Sequence, residues 1–352
     1  MTAVQGGSSP CLSPVRRAPD SLLIIGAGSA GHRHLLNAKA LGVADLRVFR
    51  TGAGASRARL PEAVSVETDL AHALSRGAKA AVIANPTSLH VESALQAARA
   101  GCHLLIEKPL SHALDGIPDL LLEIRRRRLV AQVGYQFRFH PGLQHVRHWL
   151  QNDAIGVIVS AHARWGEYLP DWQPWRDYKS SYAARAELGG GVLLTLSHPI
   201  DYLRWLLGEI VRVSAVTARR SGLELDVEDA AIVQLEFESG AAGVVSLDYV
   251  QRPAEHHLTI VGRKGVIRWD NSDGVARLDA FDASQRNSDA AAPPRAFDRN
   301  RLFTSELSHF FSCIAGKTEL QGEGCSIEDG EQALRICLAA KRAAEEGRRI
   351  SV

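Results

Sequence analysis

Gly26, Gly28 and Gly31 stand at GxGxxG spacing, directly after the apolar run 21–25 and directly before a stretch that reads as helix to residue 41. Few short patterns restrict a fold as much. The run has no polar face, so its strand is buried on both sides. The first glycine permits a tight strand-to-helix turn. The second lets the backbone approach a pyrophosphate, and the third lets helix and strand pack closely. Ser29 and Ala30 then fall at a helix N-terminus, whose free N–H groups and partial positive charge suit phosphate. A glycine-rich turn without a ligand is the other reading; the buried strand before it and the helix after it favour a dinucleotide cradle.

The same alternation continues. Residues 46–49, 80–84, 103–106 and 129–133 read as further strands, and 88–100 and 119–128 as helices, with Gly42 and Gly101 as helix stops. Strands alternating with helices imply right-handed crossovers and a parallel sheet. Beyond about residue 150 the pattern changes. Residues 157–165 read as a strand, 168–188 as a polar aromatic loop and 192–207 as one mostly apolar helix. Closely spaced strands follow at 211–218, 230–237, 242–249, 257–261 and 266–269, separated by turn signals such as Ser239-Gly240 and Lys264-Gly265. Residues 284–300 read as a surface loop, and two helices, 301–315 and 327–346, close the chain. The expected division is a tail at 1–19 without fixed structure, an α/β Rossmann domain at 20–134, and an α+β domain at 135–352 with a large, mainly antiparallel open sheet.

Bulk properties narrow the function classes. The 352 residues suffice for two domains with cores of their own. A net charge of +2 supplies no field to collect nucleic acid or an anionic membrane, and the run Arg125 to Arg128 reads as the solvated end of a helix. No apolar run is long enough to span a bilayer. Five cysteines without CxxC spacing argue against a disulfide framework and for a reducing, cytoplasmic setting. His140, His145 and His148 lack the supporting cysteines or carboxylates of a metal site, so none is expected.

An acidic residue about 20 positions after the glycine turn favours NAD, because it accepts from the ribose hydroxyls. This chain has Phe49-Arg50-Thr51-Gly52 there. Arg50, with Thr51 beside it, is placed to receive a 2′-phosphate, which leans towards NADP over NAD. Stacking on the adenine or pointing to water are the alternatives for Arg50.

Three motifs then occur in order: Gly26 to Gly31, Glu107-Lys108-Pro109 at the end of a later strand, and Gly189-Gly190-Gly191 followed by His198-Pro199-Ile200-Asp201. In these the chain resembles the glucose–fructose oxidoreductase / inositol dehydrogenase / rhizopine-catabolism (Gfo/Idh/MocA) family over about residues 22–270. The resemblance implies that Lys108 bridges the nicotinamide ribose and a substrate hydroxyl, and that a cis peptide bond precedes Pro109. It further implies that Asn85, Pro86, Thr87 and His90 line the nicotinamide pocket with Glu107, and that His198 is the catalytic histidine. It also implies a homo-oligomer formed through the C-terminal sheet. Many relatives carry an aspartate a few residues before that histidine. Here Thr195 stands there, three residues from His198 where inositol-dehydrogenase-like members have four, and a threonine holds no negative charge at pH 7. Either the histidine works without that carboxylate or the chemistry is altered or lost.

The expected activity is reversible oxidation of a secondary alcohol on a sugar, nucleotide sugar or cyclitol. His198 takes the hydroxyl proton, since a histidine titrates near neutrality. Lys108 polarises the substrate; the reverse assignment of these two roles is the alternative, since burial and a positive nicotinamide both lower a lysine pKa. Asp201, three residues on from His198, is a candidate to orient the ring, with a helix-surface or structural role as its alternative. The segment from Trp165 to Tyr178 holds three of the six tryptophans. Its Trp172, Trp175 and Tyr178 are candidates to pack on a sugar, with Arg138 and Arg185 as candidate anion ligands. Each arginine has an interdomain ion pair as its alternative, and the tryptophans have loop packing as theirs. Two other functions share these features: a cofactor- or sugar-sensing protein without catalysis, which Thr195 keeps open, and an internal-redox hydrolase or epimerase with tightly held NAD.

Overall fold

The computed structural model describes residues 18–51, 60, 64–282 and 285–352. The tail expected at 1–19 lies, for residues 1–17, outside the described residues. The first half runs β1 (Ser21–Ile25), α1 (Ser29–Ala40), β2 (Asp45–Phe49), β3 (Ser65–Glu67), α2 (Leu70–Ser75), β4 (Ala80–Ile83), α3 (His90–Arg99), β5 (His103–Glu107), α4 (Ile117–Arg127) and β6 (Ala131–Gly134). The short β3 and α2 are additions to the sequence reading.

These strands form a sheet in the order β6-β5-β4-β1-β2-β3, all pairs parallel. Leu22, Leu23, Ile24 and Ile25 are each 0% exposed, so β1 is covered on both faces as its unbroken apolar run requires. Burial of each such side chain contributes roughly 1.5–3 kcal/mol. The order reverses beside β1, which puts the switch point of the sheet at the glycine turn.

The second half runs α5 (Pro141–Gln151), β7 (Ile158–Gly166), a series of short 3-10 turns, α6 (Val192–Thr195), α7 (His198–Leu207), β8 (Ile210–Ala218), β9 (Ala230–Phe237), β10 (Ala242–Asp248), β11 (Glu255–Gly262), β12 (Gly265–Asp270), β13 (Ala276–Asp282), β14 (Gln285–Ala291), α8 (Asn300–Ile314), β15 (Cys325–Ser326), α9 (Ile327–Glu346) and β16 (Ile350–Ser351). The single helix expected at 192–207 is two, separated at Leu196 and Ser197. The loop expected at 284–300 instead begins with β14, a polar strand at the sheet edge.

The second sheet has the order β14-β13-β12-β11-β7-β10-β9-β8-β16. Among the described residues its pairs are antiparallel except β7 with β10. Inward residues alternate with outward ones, as in β9, where Ala231, Val233, Leu235 and Phe237 are buried.

The chain then returns to the first sheet. β15 adds antiparallel to β6, and Leu307, Phe310 and Phe311 of α8 pack with Leu22, Ile24, Leu35 and Val48. Two of the elements completing the dinucleotide fold thus come from beyond residue 299. No helix among the described residues is long and apolar enough to cross a membrane.

Candidate active site

The glycine turn is built tightly. Gly26 has φ +107°, and a Cβ there would come within 2.6 Å of the Ala84 backbone. A Cβ on Gly31 would collide with the Gly26 carbonyl oxygen. Gly28 differs: a Cβ there would meet no protein atom within 4 Å, so the open space beside it is free for a ligand rather than for packing. Gly28 is also the N-cap of α1 and offers no capping side chain, which leaves the first N–H groups for an external acceptor. This cradle fits a dinucleotide pyrophosphate.

At the carboxyl end of β5, the Lys108–Pro109 peptide is cis. The Lys108 ammonium donates to the Thr195 carbonyl at 2.5 Å, and α6 ends at that carbonyl. Burial lowers the Lys108 pKa to about 8, with Glu107 opposing the shift and Arg299 adding to it. The Glu107 carboxylate pairs with His34 of α1 at 2.8 Å. His90 is buried, its ring nitrogens 2.9 Å from the Pro109 carbonyl oxygen and 3.0 Å from that of Asn85. It ties the ends of β4 and β5 together instead of presenting its ring to the cavity. Asn85 donates to Ser93 at 2.8 Å, and the Asn85–Pro86 segment abuts Gly26. Thr87 packs against Gly189.

His198 opens α7 and is 1% exposed. Neither Nδ1 nor Nε2 has a hydrogen-bond partner. Tyr135, Phe137 and Trp165 surround the ring at centroid distances of 5.3, 4.9 and 5.4 Å. Burial first, and then the charge of Lys108, hold its pKa well below the ordinary histidine value. The ring is therefore neutral at pH 7 and able to accept a proton.

Three expectations change here. Asp201 does not orient His198. Its carboxylate takes the Arg138 guanidinium at 2.6, 3.0 and 3.2 Å, both residues being 2% exposed. Arg138 also donates to the Gly324 carbonyl and to Asp329, each at 3.0 Å, so its fork is consumed inside the protein and meets no substrate anion. The reason is competition for the carboxylate: the buried Arg138 guanidinium takes both of its oxygens and ties them to the residue 324–329 segment. Arg185 pairs with Glu187 at 2.8 Å, lies 3.8 Å from Asp226, and does not line the cavity that holds Lys108 and His198.

That cavity has a volume of about 790 Å³ and lies between the two sheets. Ser29, Ala30, Lys108, Glu107, Thr195 and His198 line it. So do Trp172, Trp175 and Tyr178 from the aromatic loop, Trp175 being 79% exposed. Trp172 meets Tyr249 edge-on at 5.6 Å, and the Tyr178 hydroxyl accepts from the Glu224 N–H. The loop reaches across the cavity mouth, where Gln173 donates to the Ser29 hydroxyl at 3.0 Å. Arg50 and Thr51 stand exposed after β2, where the Arg50 N–H donates to the Glu67 carbonyl. Sequence reasoning missed Tyr182, Gln136, Arg33, Arg299 and Phe303 on the cavity wall. Arg33 carried a signal, one helical turn beyond Ser29 and Ala30; Arg299 and Phe303, on the returning helix, carried none.

Comparison with known proteins identifies both halves of the chain. Residues 21–135 match the model of the oxidoreductase family with an NAD-binding Rossmann fold, and residues 143–268 match the Gfo/Idh/MocA C-terminal domain. An uncharacterized oxidoreductase, YrbE, of Bacillus subtilis is 27% identical over 94% of this chain and 95% of its own length. A myo-inositol 2-dehydrogenase of Thermotoga maritima is 26% identical over 78% of this chain and 79% of its own. The solved structure of a levoglucosan dehydrogenase in complex with NADH and levoglucosan superposes with a TM-score of 0.82 at 21% identity, covering 94% of this chain and 98% of that one. With both domain models matched in order on a cradle, a lysine and a histidine that share one cavity, the chain belongs to the Gfo/Idh/MocA family of NAD(P)-dependent oxidoreductases.

Proposed function

We propose that the protein transfers hydride between a nicotinamide dinucleotide and a secondary alcohol or ketone of a sugar, nucleotide sugar or cyclitol. The observation that carries this is His198: a buried, neutral histidine with both nitrogens unpartnered, on the wall of the same cavity as Lys108. Gly26, Gly28, Ser29, Ala30 and Gly31 would hold the pyrophosphate, and the nicotinamide would supply the hydride acceptor or donor. The Lys108 ammonium, held by the Thr195 carbonyl, donates to the substrate oxygen and stabilises negative charge on it. One nitrogen of His198 takes the hydroxyl proton in oxidation and returns it in reduction. The Thr195 side chain supplies no carboxylate, so the proton stays on the imidazole until it leaves through the cavity. Trp172, Trp175 and Tyr178 give the sugar its apolar and hydrogen-bonding wall. The names of relatives support the substrate class, since they include a levoglucosan dehydrogenase and a 1,5-anhydro-D-fructose reductase.

Arg50 and Thr51, with no acidic residue at the end of β2, favour NADP. We also propose that copies of the chain associate through the outer face of the large sheet. The test of function is nicotinamide fluorescence on purified protein with NADPH and NADH, followed by turnover on sugars and cyclitols. The expected result is tighter NADPH binding, weakened by Arg50→Ala, and turnover that His198→Gln reduces by about 10²–10⁴. Binding of neither nucleotide would overturn the reading. Binding without turnover on any sugar would turn it to a sensor.

A further inference from the structure

Among the described residues, two guanidinium groups on the cavity wall pair with no carboxylate. Arg33 lies on α1, and Arg299 is the N-cap of α8. Both line the cavity with Lys108, His198 and Phe303. The Arg33 guanidinium carbon sits 4.2 Å from the Phe303 ring centroid, over an aromatic face rather than against an acid. Among the described residues neither arginine side chain forms an ion pair or a hydrogen bond. Glu107, the acid that acts on Arg33, is spent on His34 at 2.8 Å.

Lys108 and Arg176 of this cavity are hydrogen-bonded, to the Thr195 carbonyl and to the Ser180 carbonyl at 2.6 Å, while Arg252, like Arg33, lies over an aromatic ring, that of Tyr168 at 3.4 Å. Two of its acids are engaged as well, Glu167 by the Trp165 indole N–H and Asp177 by the Lys179 N–H. Arg33 and Arg299 repel each other, and the charge of Arg299 also bears on Lys108 and His198. Arg33 is half-buried and Arg299 exposed, and like charges brought together at such a cavity mouth are unfavourable until an anion joins them. The planar fork of arginine matches the paired oxygens of a carboxylate or phosphate.

We propose that Arg33 and Arg299 form a subsite for an anionic group on the substrate, the carboxylate of a sugar acid or the phosphate of a sugar phosphate, beside Lys108 and His198. This rests on the hydride-transfer reading above and narrows its substrate to sugars with a negative charge. The competing source of anionic oxygens is the dinucleotide's own pyrophosphate, since Arg33 follows Ser29 and Ala30 on the same helix.

The test first measures dissociation constants of NADH and NADPH for the wild type, Arg33→Gln and Arg299→Gln. The protein loaded with the tighter nucleotide is then titrated with D-glucuronate, D-glucose 6-phosphate and D-glucose, followed by nicotinamide fluorescence. Circular dichroism establishes that each variant is folded. The expected result is that an anionic sugar binds the wild type at least about tenfold more tightly than glucose. Both variants erase that margin with nucleotide affinity unchanged. Equal or absent binding of charged and neutral sugars overturns the subsite. Loss of nucleotide affinity in the variants overturns it too, and assigns the pair to the pyrophosphate. Failure of the wild type to bind either nucleotide is visible before any sugar is added and overturns the hydride-transfer reading instead.

Discussion

The Lys108 ammonium is held by the backbone of Thr195, 87 residues further along the chain, through a 2.5 Å hydrogen bond to its carbonyl. The lysine is thus aimed by main chain, and the side chain at 195 is free to differ from the family's aspartate. Thr195→Val is expected to reduce kcat/KM less than about tenfold, the worth of one neutral hydrogen bond. Lys108→Met is expected to cost about 10²–10⁴. Because Lys108 works as a cation and its pKa is lowered to about 8, kcat/KM should fall on the alkaline side with an apparent pKa near 8. Lys108→Arg should remove that limb, since arginine stays charged. The acid limb belongs to His198 and should lie below the ordinary histidine range. Steady-state kinetics across pH 5–10 checks both; an alkaline limb that survives in Lys108→Arg would detach it from the lysine.

The buried Arg138–Asp201 pair predicts a loss of stability rather than of substrate affinity. Arg138→Ala leaves a carboxylate 2% exposed without its partner, which costs about 3–5 kcal/mol. Thermal or urea unfolding should show this loss, while any folded variant should keep its KM for sugar. A raised KM with normal stability would return Arg138 to the substrate site.

Acid should destabilise the fold through its histidines. His140, His198 and His256 are buried and held neutral, His140 at about 4 and the others well below the ordinary value, burial being the first cause in each. Their folded pKa values lie below the unfolded value of about 6.5, so the unfolded chain binds more protons. The stability they contribute is complete above pH 6.5 and is lost as pH falls from there towards 4. The slope is about 1.4 kcal/mol per pH unit for each histidine. Urea midpoints at pH 7.5, 6 and 5 should follow it, and His140→Gln should make the dependence shallower.

The outer face of the large sheet carries Val216 and Ile232 as direct cross-strand neighbours, 70% and 55% exposed. Covering them is the expected role of a second copy of the chain. Ile232→Lys should move the protein to a smaller species in light scattering coupled to size exclusion, with its far-ultraviolet circular dichroism unchanged. A wild type that is monomeric at micromolar concentration would remove the sheet as an interface.

The parts of this molecule legible in sequence are those whose physics is local. A glycine required by its own turn, as Gly26 is by its positive φ and Gly31 by the Gly26 carbonyl, leaves its mark within six residues. So does a strand buried on both faces, as at 21–25. Arg138 and Asp201 are 63 residues apart, and nothing near either one announces that they meet. β14 reads Gln-Arg-Asn-Ser-Asp-Ala-Ala and shows no apolar alternation, because an edge strand with much of its length exposed needs none. The break between α6 and α7 was hidden because both helices are apolar. The site was legible on its Lys108 and His198 side, and not on the wall built by α8.

The path of the chain after residue 299 bears on how such a protein can be taken apart. A fragment ending at Gly134 would keep the glycine turn and Lys108. It would lose the strand that covers the β6 edge, and the Leu307, Phe310 and Phe311 side chains that shield Leu22 and Ile24. An exposed edge beside a bare apolar face invites aggregation. Grafting this nucleotide-binding half onto another partner therefore means carrying over two separated stretches of sequence, and a recombination event with one crossover point would deliver only part of it.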